Sequence, residues 1–197
     1  MNSGNYLPPL KINNPRVLNT ALLISLISIA SSILTTMVFK PTDKSTLSMI
    51  VSIVIFAISI AVLFQGMSNY RNTELEGYMP FSRGLGYAVL VGIVVGIVSA
   101  IFTYILYKFI NPGLITEMTN LQYAEMEKRG LSQEDIEKAQ SMMGWAKSPG
   151  FIAIMALFGS VMIYFVVGLI CAAILKRWPR PYTNDTDVVI EKTTEEL

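Results

Sequence analysis

Four long apolar runs alternate with polar breaks along this chain, and one break is much longer than the others. The runs cover residues 17–39, 47–64, 85–110 and 151–175. Apart from Lys108, near the end of the third, none of them contains Asp, Glu, Lys or Arg. A bilayer core about 30 Å thick takes roughly 20 apolar residues in a helix. Backbone polar groups in lipid must pair within their own segment, so runs of this kind are helices and not strands. The first run is longer than the core of a signal peptide and ends in "TTMVFKPTDK", which has no A-x-A-like cleavage site. It is expected to remain as an anchor.

The breaks carry matching punctuation. Pro41 ends the first helix, and Ser45 or Thr46 can cap the second. Asn111-Pro112-Gly113 ends the third, because proline cannot continue the helical ladder. Ser148 is placed to cap the fourth, with Pro149 at its first position. The fold class that follows is all-α: an integral membrane four-helix bundle with an extramembrane helical hairpin between spans three and four. Residues 1–177 form one unit. The tail 178–197 is polar and acidic beyond Tyr182 and is expected to be disordered.

Composition narrows the chemistry. The chain has 197 residues, of which 52% are hydrophobic and 15% charged. Soluble domains carry about 25% charged residues. Mean hydropathy is +0.50. A net charge of +1 gives no basic field for nucleic acid. Histidine is absent, which removes the commonest metal ligand and the usual proton carrier near neutral pH. Cys171, the single cysteine, lies in an apolar run with no activating base in view and reads as a small buried apolar residue. No catalytic residue, metal or cofactor is expected.

Small residues recur where helices would touch. Gly84, Ala88, Gly92, Gly96 and Ala100 follow one another every four residues in span three. Such a row lets backbones approach closely, which matters because lipid gives helices no hydrophobic drive to associate. Span four has a partial row, Ala156, Ser160, Gly168 and Ala172, interrupted by Tyr164. Ser25, Ser28 and Ser32 in span one, and Ser45, Ser48, Ser52 and Ser59 in span two, form further rows. Packing is the favoured reading of the serines over a polar path, since no ionisable group accompanies them.

The break at 66–84 holds turn residues, mixed charges and aromatics. Glu74 and Glu76 are a close carboxylate pair. With Arg71 and Arg83 nearby they read as a solvated ion cluster and not as an acid–base pair. Tyr78 and Phe81 fit the aromatic belt at a membrane edge. The break at 111–148 is expected to fold as a hairpin over 114–146. Its first arm groups Leu114, Met118 and Leu121 and stops at Gly130. Its second arm starts with a capping box from Ser132 to Asp135. Ile136, Ala139, Met143 and Ala146 form one stripe on that arm, a candidate surface for a partner. The carboxylates of this loop match no calcium-loop spacing. Met118, Met126, Met142 and Met143 read as apolar contacts.

Lys and Arg near the span ends set orientation. Lys11, Arg16, Arg71, Arg83, Lys176, Arg177 and Arg180 fall on one side, against Lys40, Lys44, Lys108 and Lys147 on the other. Both termini are therefore expected in the cytoplasm. The blocks "EGYMPFSRG", "YKFINPGLITEM", "EMEKRGLSQEDIEKAQSMM", "KSPGFIAIMALFGS" and "AAILKR", in that order, resemble a bacterial four-span membrane family, domain of unknown function number 4199. The resemblance covers roughly residues 15–177. It implies four spans and a bacterial inner-membrane location, and it transfers no catalytic residue. The expected partners are the bilayer and a second membrane protein or another copy of the chain. Two functions remain open. One is a non-enzymatic accessory subunit or scaffold. The other is a small transporter or flippase for a lipid-linked or neutral solute, lined by serines with Tyr104 and Tyr164.

Overall fold

The computed structural model describes residues 10–38, 46–142 and 144–177. The Pro41 stop, the Ser45 cap, Met143 and the polar tail lie outside them. Six α-helices follow in order: α1 Pro15–Val38, α2 Thr46–Glu74, α3 Phe81–Ile105, α4 Gly113–Lys128, α5 Gln133–Met142 and α6 Pro149–Leu175. A π-helical segment, Leu106–Ile110, extends α3, and a 3-10 turn, Gly144–Lys147, precedes α6. Among the described residues four helices are long and apolar enough to cross a membrane: Pro15–Thr36, Met49–Glu74, Phe81–Ile110 and Pro149–Leu175. The chain is an all-α, multi-pass membrane protein.

The caps form as their sequences require. Ser148 accepts from the Phe151 amide at 3.3 Å and starts α6, with Pro149 beside it. Ser132 accepts from the Asp135 amide at 3.2 Å and donates to the Asp135 carboxylate at 2.7 Å. Gly130, at φ +82°, ends α4 in a Schellman turn. Its amide bonds the Glu127 carbonyl, and the Leu131 amide bonds that of Met126.

The polar break between spans two and three is shorter than 66–84. Helix α2 continues to Glu74, and only residues 75–80 lie outside helices. The physical reason is a stripe that crosses the expected boundary. Leu63, Met67 and Tyr70, spaced four and three apart, are all buried. Gly66 lies directly against the Thr20 side chain and lets α1 and α2 close together there. The chain then reverses through Glu76 and Gly77, both at positive φ.

Helices α3 and α6 pair along their length, α1 lies against α3, and α2 rests mainly on α1. The end of the bundle where α1 begins and α6 finishes is closed. Val17, Ala21 and Ile24 of α1 meet Leu63 and Met67 of α2, Tyr87 and Val91 of α3, and Cys171 and Leu175 of α6 in one core. Polar links seal it. Tyr87 donates to the Arg16 carbonyl at 3.0 Å and shares a 2.8 Å hydrogen bond with the buried Thr20. Arg16 pairs with Glu74 at 3.0 Å. Arg71 donates to the Leu175 carbonyl at 3.3 Å. Met79 and Arg177 exchange two backbone hydrogen bonds of 3.1 and 3.0 Å. Glu74 thus takes its partner from α1, and Arg71 turns to α6. Of the ion cluster expected from Glu74, Glu76, Arg71 and Arg83, Glu74 and Arg71 also link neighbouring helices.

The opposite end is open. Past Ser25 on α1, and before Ser59 on α2, no residue whose burial is described is buried.

Candidate functional site

The row in span three is a seam inside the chain. Gly84, Ala88, Gly92 and Gly96 are buried, and Ala100 at the open end is only partly so. A methyl group on Gly92 would come 2.8 Å from Tyr164 Cβ, and one on Gly96 would come 3.0 Å from the Leu157 carbonyl oxygen. A methyl on Gly168 would collide with Ala88 Cβ. Tyr164, which interrupts the row in span four, is the complement of Gly92: the large residue sits where the facing helix has no side chain. Ala172 faces Gly84 in the same way. Ala156 and Ser160, the remaining members of that row, are partly buried, and Ser160 turns toward a different neighbour.

That neighbour is a groove in the open half of the bundle. It has a volume of about 400 Å³ and takes side chains from all four spans. Ser28, Ser31, Ser32 and Thr35 come from α1, and Ser52, Ile55, Phe56 and Ser59 from α2. Val95 and Ser99 come from α3, and Ser160, Ile163 and Tyr164 from α6. Serine rows that look like separate packing stripes in the sequence converge here because α1 and α2 diverge from the tight α3–α6 pair. Ser31 and Thr35 extend the α1 row at successive spacings of three and four from Ser28, whereas Ser99 stands outside the α3 row and is brought in by the convergence of the spans. Tyr104 lies elsewhere, where it accepts from Lys108 Nζ at 2.7 Å.

The chemistry of the groove is neutral. Among the described residues no Asp, Glu, Lys or Arg lines it. Several hydroxyls are steadied by their own helix. Thr35 donates to the Ser31 and Ser32 carbonyls at 2.8 and 3.0 Å, and Ser59 donates to the Ile55 carbonyl at 3.0 Å. Their oxygens keep lone pairs free to accept. Ser25, one turn below Ser28 on α1, is buried, and its Oγ has no hydrogen-bond partner. An orphaned buried hydroxyl costs about 1–3 kcal/mol. The arrangement can hold a hydroxyl or amide group by hydrogen bonds. Among the described residues no three Cys, Asp or Glu side chains come together as metal ligands would.

The hairpin residues separate. Ile136 is buried within the chain, at 5% exposure, which removes it from an outward stripe. The side chain of Ala139, like Met143 as a whole, lies outside the description. Ala146 is half-buried and lines a hollow beneath α4. The first arm turns about one residue from the expected face. Leu114 is buried, while Ile115, Met118, Gln122 and Met126 line that hollow. Trp145 is 65% exposed and packs edge-on against Phe151 at 4.5 Å, where α6 begins.

No curated protein and no solved structure matches the chain. One family model does, over residues 19–177, and its description is "Protein of unknown function (DUF4199)". The match takes in all four spans and the hairpin, so the chain belongs to the DUF4199 family of proteins of unknown function.

Proposed function

We propose that the protein is a non-enzymatic component of the bacterial cytoplasmic membrane that holds the uncharged polar part of a membrane amphiphile in the serine groove, as a carrier or flippase would. One observation carries this reading: hydroxyls from all four spans line a groove of about 400 Å³ with no charged side chain among the described residues. That volume falls within the range of about 300–1,000 Å³ typical of ligand sites. A neutral lining suits a neutral headgroup, because an ion there would face no opposite charge. Both termini are assigned to the cytoplasm, since Arg16, Arg71, Arg83 and Arg177 gather at the closed end. An accessory or scaffold role has less support. The glycine row is used up between α3 and α6, and Ile136 of the hairpin stripe is buried.

The test is native mass spectrometry of the full chain extracted together with its surrounding lipid. The expected result is one amphiphile enriched over bulk lipid, with retention lost when Ser28 and Ser99 are both replaced by leucine and helicity is unchanged. Retention of bulk lipid only, or equal retention by the folded double variant, would rule the reading out.

A further inference from the structure

A second concave site lies at the open end, where α3 and α6 emerge from the spans. Tyr107, Ile115, Thr119, Tyr123 and Lys147 line both of its lobes, and the larger lobe, about 590 Å³, adds Lys108. Among the described residues no carboxylate lines either lobe.

Both lysines are steadied without being neutralised. Lys147 Nζ sits 5.0 Å from the centre of the Tyr123 ring. Lys108 Nζ sits 5.0 Å from the Tyr104 ring and 5.5 Å from the Phe109 ring. Aromatic faces attract an ammonium group but leave its charge in place. Lys108 spends one of its three donors on the Tyr104 hydroxyl. Neither lysine has a carboxylate partner among the described residues. The backbone adds a further sign. Tyr107 and Lys108 stand in the π-helical segment, closed by a 2.8 Å bond from the Asn111 amide to the Leu106 carbonyl. A π turn is rare and is found disproportionately at functional sites, because it changes the face on which its side chains emerge.

From this cluster we infer a site for the phosphate of an anionic phospholipid, held by Lys108 and Lys147, while the Thr119 and Tyr107 hydroxyls donate within the chain to the Ile115 carbonyl and the Met118 sulfur. The lipid source follows from position. Lys108 lies two residues inside the end of the third span and Lys147 two residues before the fourth, at headgroup depth. Ile115 and Met118 give the hollow an apolar wall. The site is separate from the serine groove and stands or falls without it.

The experiment compares phosphatidylglycerol with diacylglycerol of the same chains on the full-length protein by native mass spectrometry. Two interfacial lysines should favour the phosphate lipid by about 30-fold. K108Q/K147Q should cut the preference to within about threefold, while K108R/K147R and the distant K138Q keep it. Inorganic phosphate alone should not displace the lipid. A preference that survives K108Q/K147Q with the fold intact overturns the assignment. Loss of preference in K138Q overturns it as well, and ready displacement by inorganic phosphate overturns the lipid source.

Discussion

Two glycines on the same helix are expected to answer oppositely to the same mutation. Gly168 and Gly159 both lie in α6, nine residues apart. A methyl added to Gly168 collides with Ala88 Cβ across the α3–α6 seam, while one added to Gly159 meets nothing within 4 Å. Glycine to alanine in a helix interior is worth about 0.5–1 kcal/mol in favour of alanine. This term is common to both sites and cancels in their difference. Overpacking typically costs about 1–3 kcal/mol. The obstacle at Gly168 is an alanine, whose only relief is separation of the two helices. Gly168→Ala should therefore be less stable than Gly159→Ala by about 1–3 kcal/mol, measured by reversible unfolding in mixed micelles with helicity as the signal. A compensating Ala88→Gly should recover most of the loss in the Gly168→Ala background and recover nothing in the Gly159→Ala background. If the two single variants match, or if Ala88→Gly fails to discriminate between them, the seam does not hold the bundle together as described.

Two further outcomes follow from the closed end and the hairpin. Tyr87→Phe removes the hydroxyl that joins Thr20 to the Arg16 carbonyl and strands buried Thr20; unfolding in micelles should show a loss of about 1–3 kcal/mol, whereas Arg16→Gln, which breaks an ion pair more than a third exposed, should cost less than about 1 kcal/mol. Ser132→Ala removes the cap of α5 and should destabilise that helix by about 1 kcal/mol, seen as faster amide exchange at Asp135 and Ile136 with α6 unchanged.

Four spans, two hairpin arms and their caps were legible because each depends on neighbours a few residues away. The run lengths, Ser132 with Asp135, Ser148 with Pro149, and Gly130 are all local signals. The α3 row was equally legible, since spacing by four fixes a face. What escaped depends on a facing helix. Tyr164 looks like a flaw in a small-residue row until Gly92 stands opposite it. Glu74 seems to belong with Arg71 and Arg83, but its partner Arg16 is 58 residues away. The serines could be assigned to rows, yet rows do not reveal that α1 and α2 diverge. Ser99 and Ser160 join the groove only because they do. The end of α2 was misplaced because Gln65, Gly66, Ser68 and Asn69 read as turn residues and obscure the apolar stripe through Leu63, Met67 and Tyr70.

The pairing of α3 with α6 has a consequence for how the molecule is made. The two helices that fit each other best are separated in the chain by the whole hairpin. A ribosome must therefore synthesise Gly113–Lys128 and everything up to Ser148 before α6 exists. Until then α3 carries an open furrow at Gly84, Gly92 and Gly96 with no ridge to fill it. The Arg71 guanidinium likewise waits for the Leu175 carbonyl, and Met79 for Arg177. A three-span nascent chain is thus a sticky intermediate, and the final helix locks the assembly from its last residues.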